Sequence, residues 1–247
     1  MRICGVFLFL RAFFGNGLKN RQFYVTIKGK STRIEVKGMK RRIEVVAALI
    51  QQQIDGVQKF LICQRNAQKS NALLWEFVGG KVEEGETLDA ALVRECKEEL
   101  DITVAPGALY SETVHEYPDV IVHLSLFTAE IIGGEICLRE HADMRWITAF
   151  EISQFQFCPA DTKFLMQILY DYSKEHIALG KWKHFKGNYY EVVGIAKHSE
   201  TLEPMVVYRA LYGEGELWTR PVGMWLEQVT RDGKNFPRFT YEGSADL

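Results

Sequence analysis

The sequence is poor in the residues that mark specialised classes. Its 247 residues include only six prolines and five cysteines, which excludes collagen-like, proline-rich and disulfide-dense scaffolds. The cysteines (Cys4, Cys63, Cys96, Cys137 and Cys158) are odd in number, scattered and never spaced Cys-x-x-Cys. They read as reduced thiols of a cytosolic protein rather than as a disulfide or zinc framework. Neither charge is in surplus. Thirty Lys and Arg against 32 Asp and Glu leave a net charge of −2, which gives no reason to expect a nucleic-acid polymer as partner. No apolar run reaches the roughly 18–20 residues of a membrane span. The segment Ile3–Phe14 is apolar, but Arg11 interrupts it and Phe13-Phe14 stand where a cleaved secretory signal has small residues.

What is present is an ordinary globular chain, 47% hydrophobic and 25% charged, with room for one or two domains. Residues 1–38 read as an extension, with Gly15-Asn16-Gly17 and a basic run (Lys19, Arg21, Lys28, Lys30, Arg33). At Met39, a candidate initiator, a well-patterned strand begins. Arg42–Ile50 and Lys59–Cys63 are apolar and flank the turn signal Asp55-Gly56, which predicts an antiparallel pair. Trp75–Val78 is a third short strand, closed by Gly79-Gly80. Leu88, Ala91, Leu92, Cys96 and Leu100 recur at helical spacing, with Thr87 as N-cap and Asp89 in the first turn. Ile102–Val104, Ile121–Glu130 and Arg145–Ile147 read as strands, and Thr162–Tyr172 as a helix. The order β-β-β-α-β-β-β-α is that of a mixed α/β sandwich spanning residues 39–177. After a boundary at His176–Lys181, three strand-like runs (Tyr189–Ala196, Met205–Leu211, Leu217–Val222) and no convincing helix predict a small all-β domain over residues 181–243. The larger domain is expected to work without it.

The chemistry concentrates in Glu76–Asp101, where nine acids face three bases, a local charge of −6 in a chain that totals −2. On a helix, Glu95, Glu98 and Glu99 fall within an arc of roughly 100°, and Glu95 and Glu99 repel as an i, i+4 pair. One reading is a solvated acidic face. The other is a site for a hard divalent cation, which takes oxygen ligands and negative charge. Cys137 and His141, four apart with no third ligand nearby, read as incidental. Trp75 and Phe77, alternating on one strand, suit either a base-stacking surface or the core. The C-terminal aromatics Tyr189, Tyr190, Tyr208, Tyr212, Trp218 and Trp225 suit either a binding surface or the packing of a small domain.

Spacing adds a resemblance. From Gly80 there are five residues to Glu86, seven more to Arg94, and then Glu95-Cys96-Lys97-Glu98-Glu99-Leu100-Asp101-Ile102. This resembles the Nudix box, Gly-x5-Glu-x7-Arg-Glu-U-x-Glu-Glu-x-Gly-U, where U is bulky and apolar. Cys96 is a small U, and Asp101 replaces the glycine after the helix; Asp tolerates the left-handed conformation better than most residues. The likeness extends over Met39–Tyr172 and is closest to MutT-type nucleoside triphosphate pyrophosphohydrolases, including oxidised-dGTP diphosphatases and CTP/dCTP enzymes. It implies a Nudix α/β/α sandwich with a mixed sheet and a reaction from nucleoside triphosphate to monophosphate and pyrophosphate.

It implies Mg2+, with Mn2+ as the alternative, held by Glu95, Glu98, Glu99, Glu140 and the Gly79 carbonyl. Glu95, Glu98, Glu99 and Arg94 form the catalytic set, with Arg94 and Glu86 supporting the loop–helix geometry. Arg65, Glu76, Phe77, Gly79, Gly80 and Asp161 would meet substrate, Asp161 reading the base where the oxidised-guanine enzyme has Asn. The expected role is sanitation of the nucleotide pool and so DNA repair, in the cytoplasm, with oxidised dGTP slightly ahead of cytidine nucleotides. The alternatives are a CTP/dCTP pyrophosphatase, another nucleoside-diphosphate-X hydrolase, or a non-catalytic nucleotide-sensing or partner-binding module. The C-terminal stretch resembles a small bacterial domain of unknown function whose partner the sequence does not name. No membrane and no nucleic-acid polymer are expected as partners.

Overall fold

A computed structural model describes the backbone of residues 9–12, 20–27, 30–37, 40–231 and 233–244, and side chains from residue 40 onward within those ranges. The chain forms two units, residues 1–42 with 117–121, and residues 43–116 with 122–247. In the first, β1 (Phe9–Ala12), β2 (Asn20–Ile27) and β3 (Lys30–Lys37) make an antiparallel sheet in that order. Gly15-Asn16-Gly17, Phe13-Phe14, most of the apolar start and Met39 lie outside the described residues.

The second unit is built on β4 (Arg41–Ile54) and β5 (Val57–Arg65). Asp55 at φ 54° and Gly56 at φ 74° supply the two positive φ angles of a tight hairpin turn, setting Ile54 opposite Val57. Then come β6 (Trp75–Glu76), β7 (Gly79–Lys81), α1 (Leu88–Leu100), β8 (Thr103–Glu116), β9 (Val120–Gly133), β10 (His141–Ile147) and α2 (Thr162–His176). They form a mixed sheet ordered β10-β5-β4-β9-β8, with β6 beside β5 and β7 beside β4.

Residues 46–50 are buried without a break, as a strand covered on both faces must be. Val46, Ala48 and Ile50 share one cluster with Leu61, Cys63 and Val78 and with Leu92, Cys96 and Leu100 of α1. By alternation Ala47 and Leu49 point to the other side. The α2 helix packs on β8 and buries Phe164, Leu165 and Ile168.

Two expectations need correction. Gly79-Gly80 does not close a strand; it is one, with Gly79 opposite Ala47 and Gly80 opposite Val46. The strand expected over Ile102–Val104 runs on to Glu116, but only Val104 and Thr113 in it are buried, so it leaves no hydrophobic pattern to read.

The C-terminal part contains β11 (Gly180–His184), β12 (Tyr189–Lys197), β13 (Pro204–Ala210), β14 (Leu217–Pro221), α3 (Val222–Leu226), β15 (Gln228–Arg231), β16 (Lys234–Pro237) and β17 (Phe239–Gly243). An antiparallel sheet runs β14-β13-β12-β11-β17, and β15 and β16 pair separately. The short α3 corrects the expectation of no helix: Trp225 on it is wholly buried. Trp182, Val192, Val206, Tyr208, Trp225 and Phe239 form the core together with Ile177, while Phe150 and Leu169 pack against it. The small sheet therefore shares buried surface with the end of α2. That argues against the expected independence of the larger domain.

Candidate active site

The acidic helix is fixed at both ends by its own residues. Thr87 accepts a hydrogen bond from the Ala90 N–H at 3.2 Å, the standard N-cap arrangement. Asp101 adopts the left-handed conformation at φ 58°. Its carboxylate binds Lys97 Nζ at 2.5 Å and an Arg139 N–H at 2.7 Å. The Lys97 bond, then the Arg139 bond, holds this carboxyl down at about 2.

Helix α1 lays Glu95 and Glu99 against β7. A Cβ added to Gly80 would stand 2.4 Å from the Glu95 carboxylate, so only glycine leaves the carboxylate room. Glu99 accepts a hydrogen bond from the Gly79 N–H at 3.2 Å. Glu98 is 55% exposed.

Arg94 organises the cluster. Its Nε donates to Glu86 Oε1 at 3.0 Å, and its terminal nitrogens donate to Glu86 Oε2 (3.0 Å), Glu95 (2.8 Å), Glu98 (3.1 Å) and the Lys81 carbonyl (2.9 Å). A guanidinium has five N–H donors, and these contacts use all five. Arg94 has no donor left for a ligand and ties Glu86, Glu95 and Glu98 together.

A second charge system faces the first. Lys69 pairs with Glu140 and lies 3.9 Å from Glu99. Glu76 accepts from Arg65 at 2.6 Å and from the Cys158 thiol at 3.8 Å, and lies 3.3 Å from His141 Nε2. His141 Nε2 is 3.9 Å from Glu99, and its Nδ1 is buried without a partner. Burial pushes the Glu99 carboxyl up to about 7, although His141 and the Gly79 N–H pull it down. Asp161, 4% exposed in the turn Pro159–Asp161 before α2, is raised well above the usual carboxylate range, first by burial and then by Glu76.

Contacts thus link Glu76, Glu95, Glu98, Glu99, Glu140, Arg65, Arg94, Gly79 and Gly80, and Asp161 lies close enough to feel the charges of Glu76 and Arg65. Phe77 is a correction: it is 3% exposed and its ring packs against Phe60 at 5.9 Å, because both faces of the sheet are covered. Trp75 is also buried, edge-on to Phe155. Lys69 and His141 were missed. Lys69 lies in a loop without periodicity, and His141 was weighed only with Cys137, an exposed residue whose N–H bonds to the Leu100 carbonyl.

The donor set suits a hard divalent cation: oxygens only, in excess of the local positive charge. Among the described residues no three acidic, His or Cys side chains are drawn around one point. Arg94 and Lys69 instead neutralise the carboxylates. No helix among them is long and apolar enough to cross a membrane.

A profile of the NUDIX domain matches residues 45–167. A CTP pyrophosphohydrolase of Escherichia coli is 40% identical over 122 residues, covering 49% of this chain and 87% of that protein. The chain belongs to the Nudix family. As an enzyme it is a Nudix pyrophosphohydrolase. An 8-oxo-dGTP diphosphatase of Haemophilus influenzae is 32% identical over 126 residues, covering 51% of this chain and 90% of that protein. Beyond the Nudix domain, a profile described as a protein of unknown function (DUF1653) matches residues 180–241. A DUF1653 protein from Bordetella bronchiseptica, solved as a crystal structure, is 33% identical, covers 30% of this chain and 97% of that one, and superposes with a TM-score of 0.28.

Proposed function

We propose that this Nudix enzyme hydrolyses nucleoside triphosphates to monophosphate and pyrophosphate with Mg2+, or Mn2+ in its place. The observation that carries the reading is the gathering of Glu95 and Glu99 under the Gly79-Gly80 strand, with Glu140 tied to Glu99 through Lys69. Glu95, Glu98, Glu99, Glu140 and the Gly79 carbonyl would hold the metal. When bound, the ion neutralises phosphate oxygens and lowers the pKa of an attacking water. Arg94 holds Glu95 and Glu98 in place, and Gly80 leaves the Glu95 carboxylate its room. A carboxylate of this set accepts the proton of the attacking water. With Glu99 and Glu140 holding the ion, Lys69 would be left to face a substrate phosphate, and Arg65, kept in place by Glu76, would line the substrate.

Asp161 reads the base. Burial, then the Glu76 charge, raises its carboxyl well above the usual carboxylate range, and a carboxyl that keeps its proton offers one donor beside one acceptor. That pair complements an edge with an acceptor next to a donor, as in cytosine (N3, N4–H) or oxidised guanine (O6, N7–H). On the O6/N7 edge unmodified guanine presents two acceptors where oxidised guanine offers N7–H, so a site that reads that edge disfavours dGTP against oxidised dGTP. The 40% identity to a CTP pyrophosphohydrolase supports cytidine triphosphates as the first reading. The 8-oxo-dGTP diphosphatases among the relatives support oxidised dGTP, and with it pool sanitation and DNA repair, as the second reading. Cys63, Cys96, Cys137 and Cys158 are free thiols, as suits a cytoplasmic enzyme. A panel of CTP, dCTP, oxidised dGTP, dGTP, ATP and UTP with Mg2+, resolved by product, tests both levels. Products other than monophosphate and pyrophosphate overturn the reaction. A rate for dGTP equal to the best substrate overturns the role of Asp161.

A further inference from the structure

The C-terminal sheet carries a cavity of about 420 Å3, lined by Tyr190, Tyr208, Tyr212, Trp218, Arg220 and the acidic pair Glu214 and Glu216. That volume lies within the range of small-molecule sites. Its walls come from the face that elsewhere forms the core. Trp218 stands opposite Tyr208 and Arg220 opposite Val206, and residues directly opposite share a face. Tyr208 and Val206 are buried, whereas Trp218 at the sheet edge is 52% exposed and Tyr212 is 50% exposed. The aromatics of this domain therefore divide. Trp182, Tyr208, Trp225 and Phe239 pack the core, while Tyr212 and Trp218 present rings to the cavity. The hydroxyls of Tyr190 and Tyr212 bond at 2.8 Å and fix the second ring against the first.

Arg220 is the decisive residue. Its guanidinium lies over the Phe239 ring at 5.9 Å, which orients it. Its Nε is buried without a hydrogen-bond partner. Elsewhere in the chain Arg65 and Arg94 spend their donors on carboxylates and carbonyls. The Arg220 Nε itself has no open surface, but among the described residues no hydrogen bond or ion pair engages the terminal nitrogens, and Arg220 lines the cavity, so those nitrogens are placed for a ligand acceptor. Glu214 and Glu216 on the same cavity form no ion pair with it and would repel a polyphosphate. They accept N–H donors.

We propose that this cavity binds a guanine-type nucleobase, at a site separate from the hydrolytic one. The ring stacks on Trp218 and Tyr212, as bases stack on aromatic side chains regardless of sequence. Arg220 donates to the O6/N7 edge, the favoured arginine–guanine pairing. A rim glutamate accepts from N1–H and N2–H. The same chemistry is presented by a free nucleoside and by an unpaired base in a single strand.

Titration of the full-length chain with guanosine, adenosine and cytidine by calorimetry, with EDTA present, tests this. Saturable guanosine binding is expected, weakened at least about tenfold in Trp218→Ala and Arg220→Ala, with kcat/KM for the preferred triphosphate unchanged when Mg2+ is restored. Trp218→Phe keeps a ring and a folded edge strand and is expected to retain binding. Glu216→Gln is expected to narrow the preference for guanosine over adenosine. GMP binding no tighter than guanosine is expected from the acidic rim. A short single strand carrying one G that binds more than tenfold tighter than guanosine assigns the source to nucleic acid; equal or weaker binding assigns it to the free nucleoside. No saturable guanosine binding, or equal affinity in Trp218→Ala and Arg220→Ala, overturns the proposal.

Discussion

Two neighbouring glycines should fail in opposite ways when a methyl group is added. At Gly79 the new Cβ would stand 2.1 Å from the Val46 carbonyl oxygen and 2.7 Å from the Ala47 Cα, with φ at +151°. Both obstacles are backbone of β4, whose residues 46–50 are wholly buried, so neither can yield. Backbone strain and overpacking together cost about 4 kcal/mol, a drop of roughly 8–16 °C in Tm for a chain of this size. At Gly80 the three atoms nearest the new Cβ all belong to the Glu95 carboxylate, the closest 2.4 Å away, the far end of a flexible side chain. Glu95 can swing clear at the expense of its 2.8 Å pair with Arg94, a partly exposed contact worth up to about 1 kcal/mol. Gly80→Ala should therefore stay within roughly 4 °C of the parent in Tm. Its activity should fall about a hundredfold, because an ångström of misplacement in a catalytic group costs that much. Differential scanning fluorimetry and a pyrophosphate-release assay, normalised to folded protein, read the two effects separately. Full activity in Gly80→Ala, or equal destabilisation by both substitutions, refutes the reasoning.

Glu98→Gln and Glu99→Gln should each lower kcat about a hundredfold or more with Tm held or slightly raised, since each removes a self-repelling charge; an active double variant sinks the carboxylate assignment. Asp161 makes stability fall as pH rises from about 4 towards its raised folded pKa, because the unfolded carboxyl releases its proton first. Asp161→Asn should flatten that slope in urea melts between pH 4 and 7, and parallel curves would refute it. A chain ending at Ile177 exposes Phe150, Leu169 and Ile177 and should lose roughly 3 kcal/mol; an unchanged denaturation midpoint would show that the small sheet does not support α2.

The sequence was most legible where one periodicity dominates. Leu88 to Leu100 announced α1 because every third or fourth residue is apolar, and Thr87 and Asp101 marked its ends through cap chemistry that is local. Asp55-Gly56 announced the hairpin for the same reason. The carboxylates of α1 could be placed on one face because a helix has fixed geometry. What was illegible depends on contacts distant in sequence. Lys69 meets Glu140 across 71 residues and His141 meets Glu76 across 65, and no local pattern encodes either meeting. Phe77 looked available because alternation distinguishes two faces only when one is wet, and here both are dry. The strands β15–β17 are short and mostly exposed, and β11 is only five residues long, so their sequences read as loop.

The two cations among the acids are of different kinds. Arginine is a planar fork whose donors are fixed in direction, and lysine is a mobile point charge. Arg94 is committed to five acceptors on the loop and the helix; removing it would release Glu86, Glu95 and Glu98 together. Lys69 is 38% exposed on a loop, and its ammonium pairs with Glu140 and lies 3.9 Å from Glu99. An exposed pair of that kind contributes up to about 1 kcal/mol, little compared with what a divalent ion gains from several carboxylates. A cluster built for stability would spread its acids apart or pair each with a rigid base. This one is rigid where Arg94 anchors it and loose where Lys69 closes it. In the proposed reaction Glu99 and Glu140 on the loose side would hold the metal ion, and Lys69 would be left to meet a substrate phosphate.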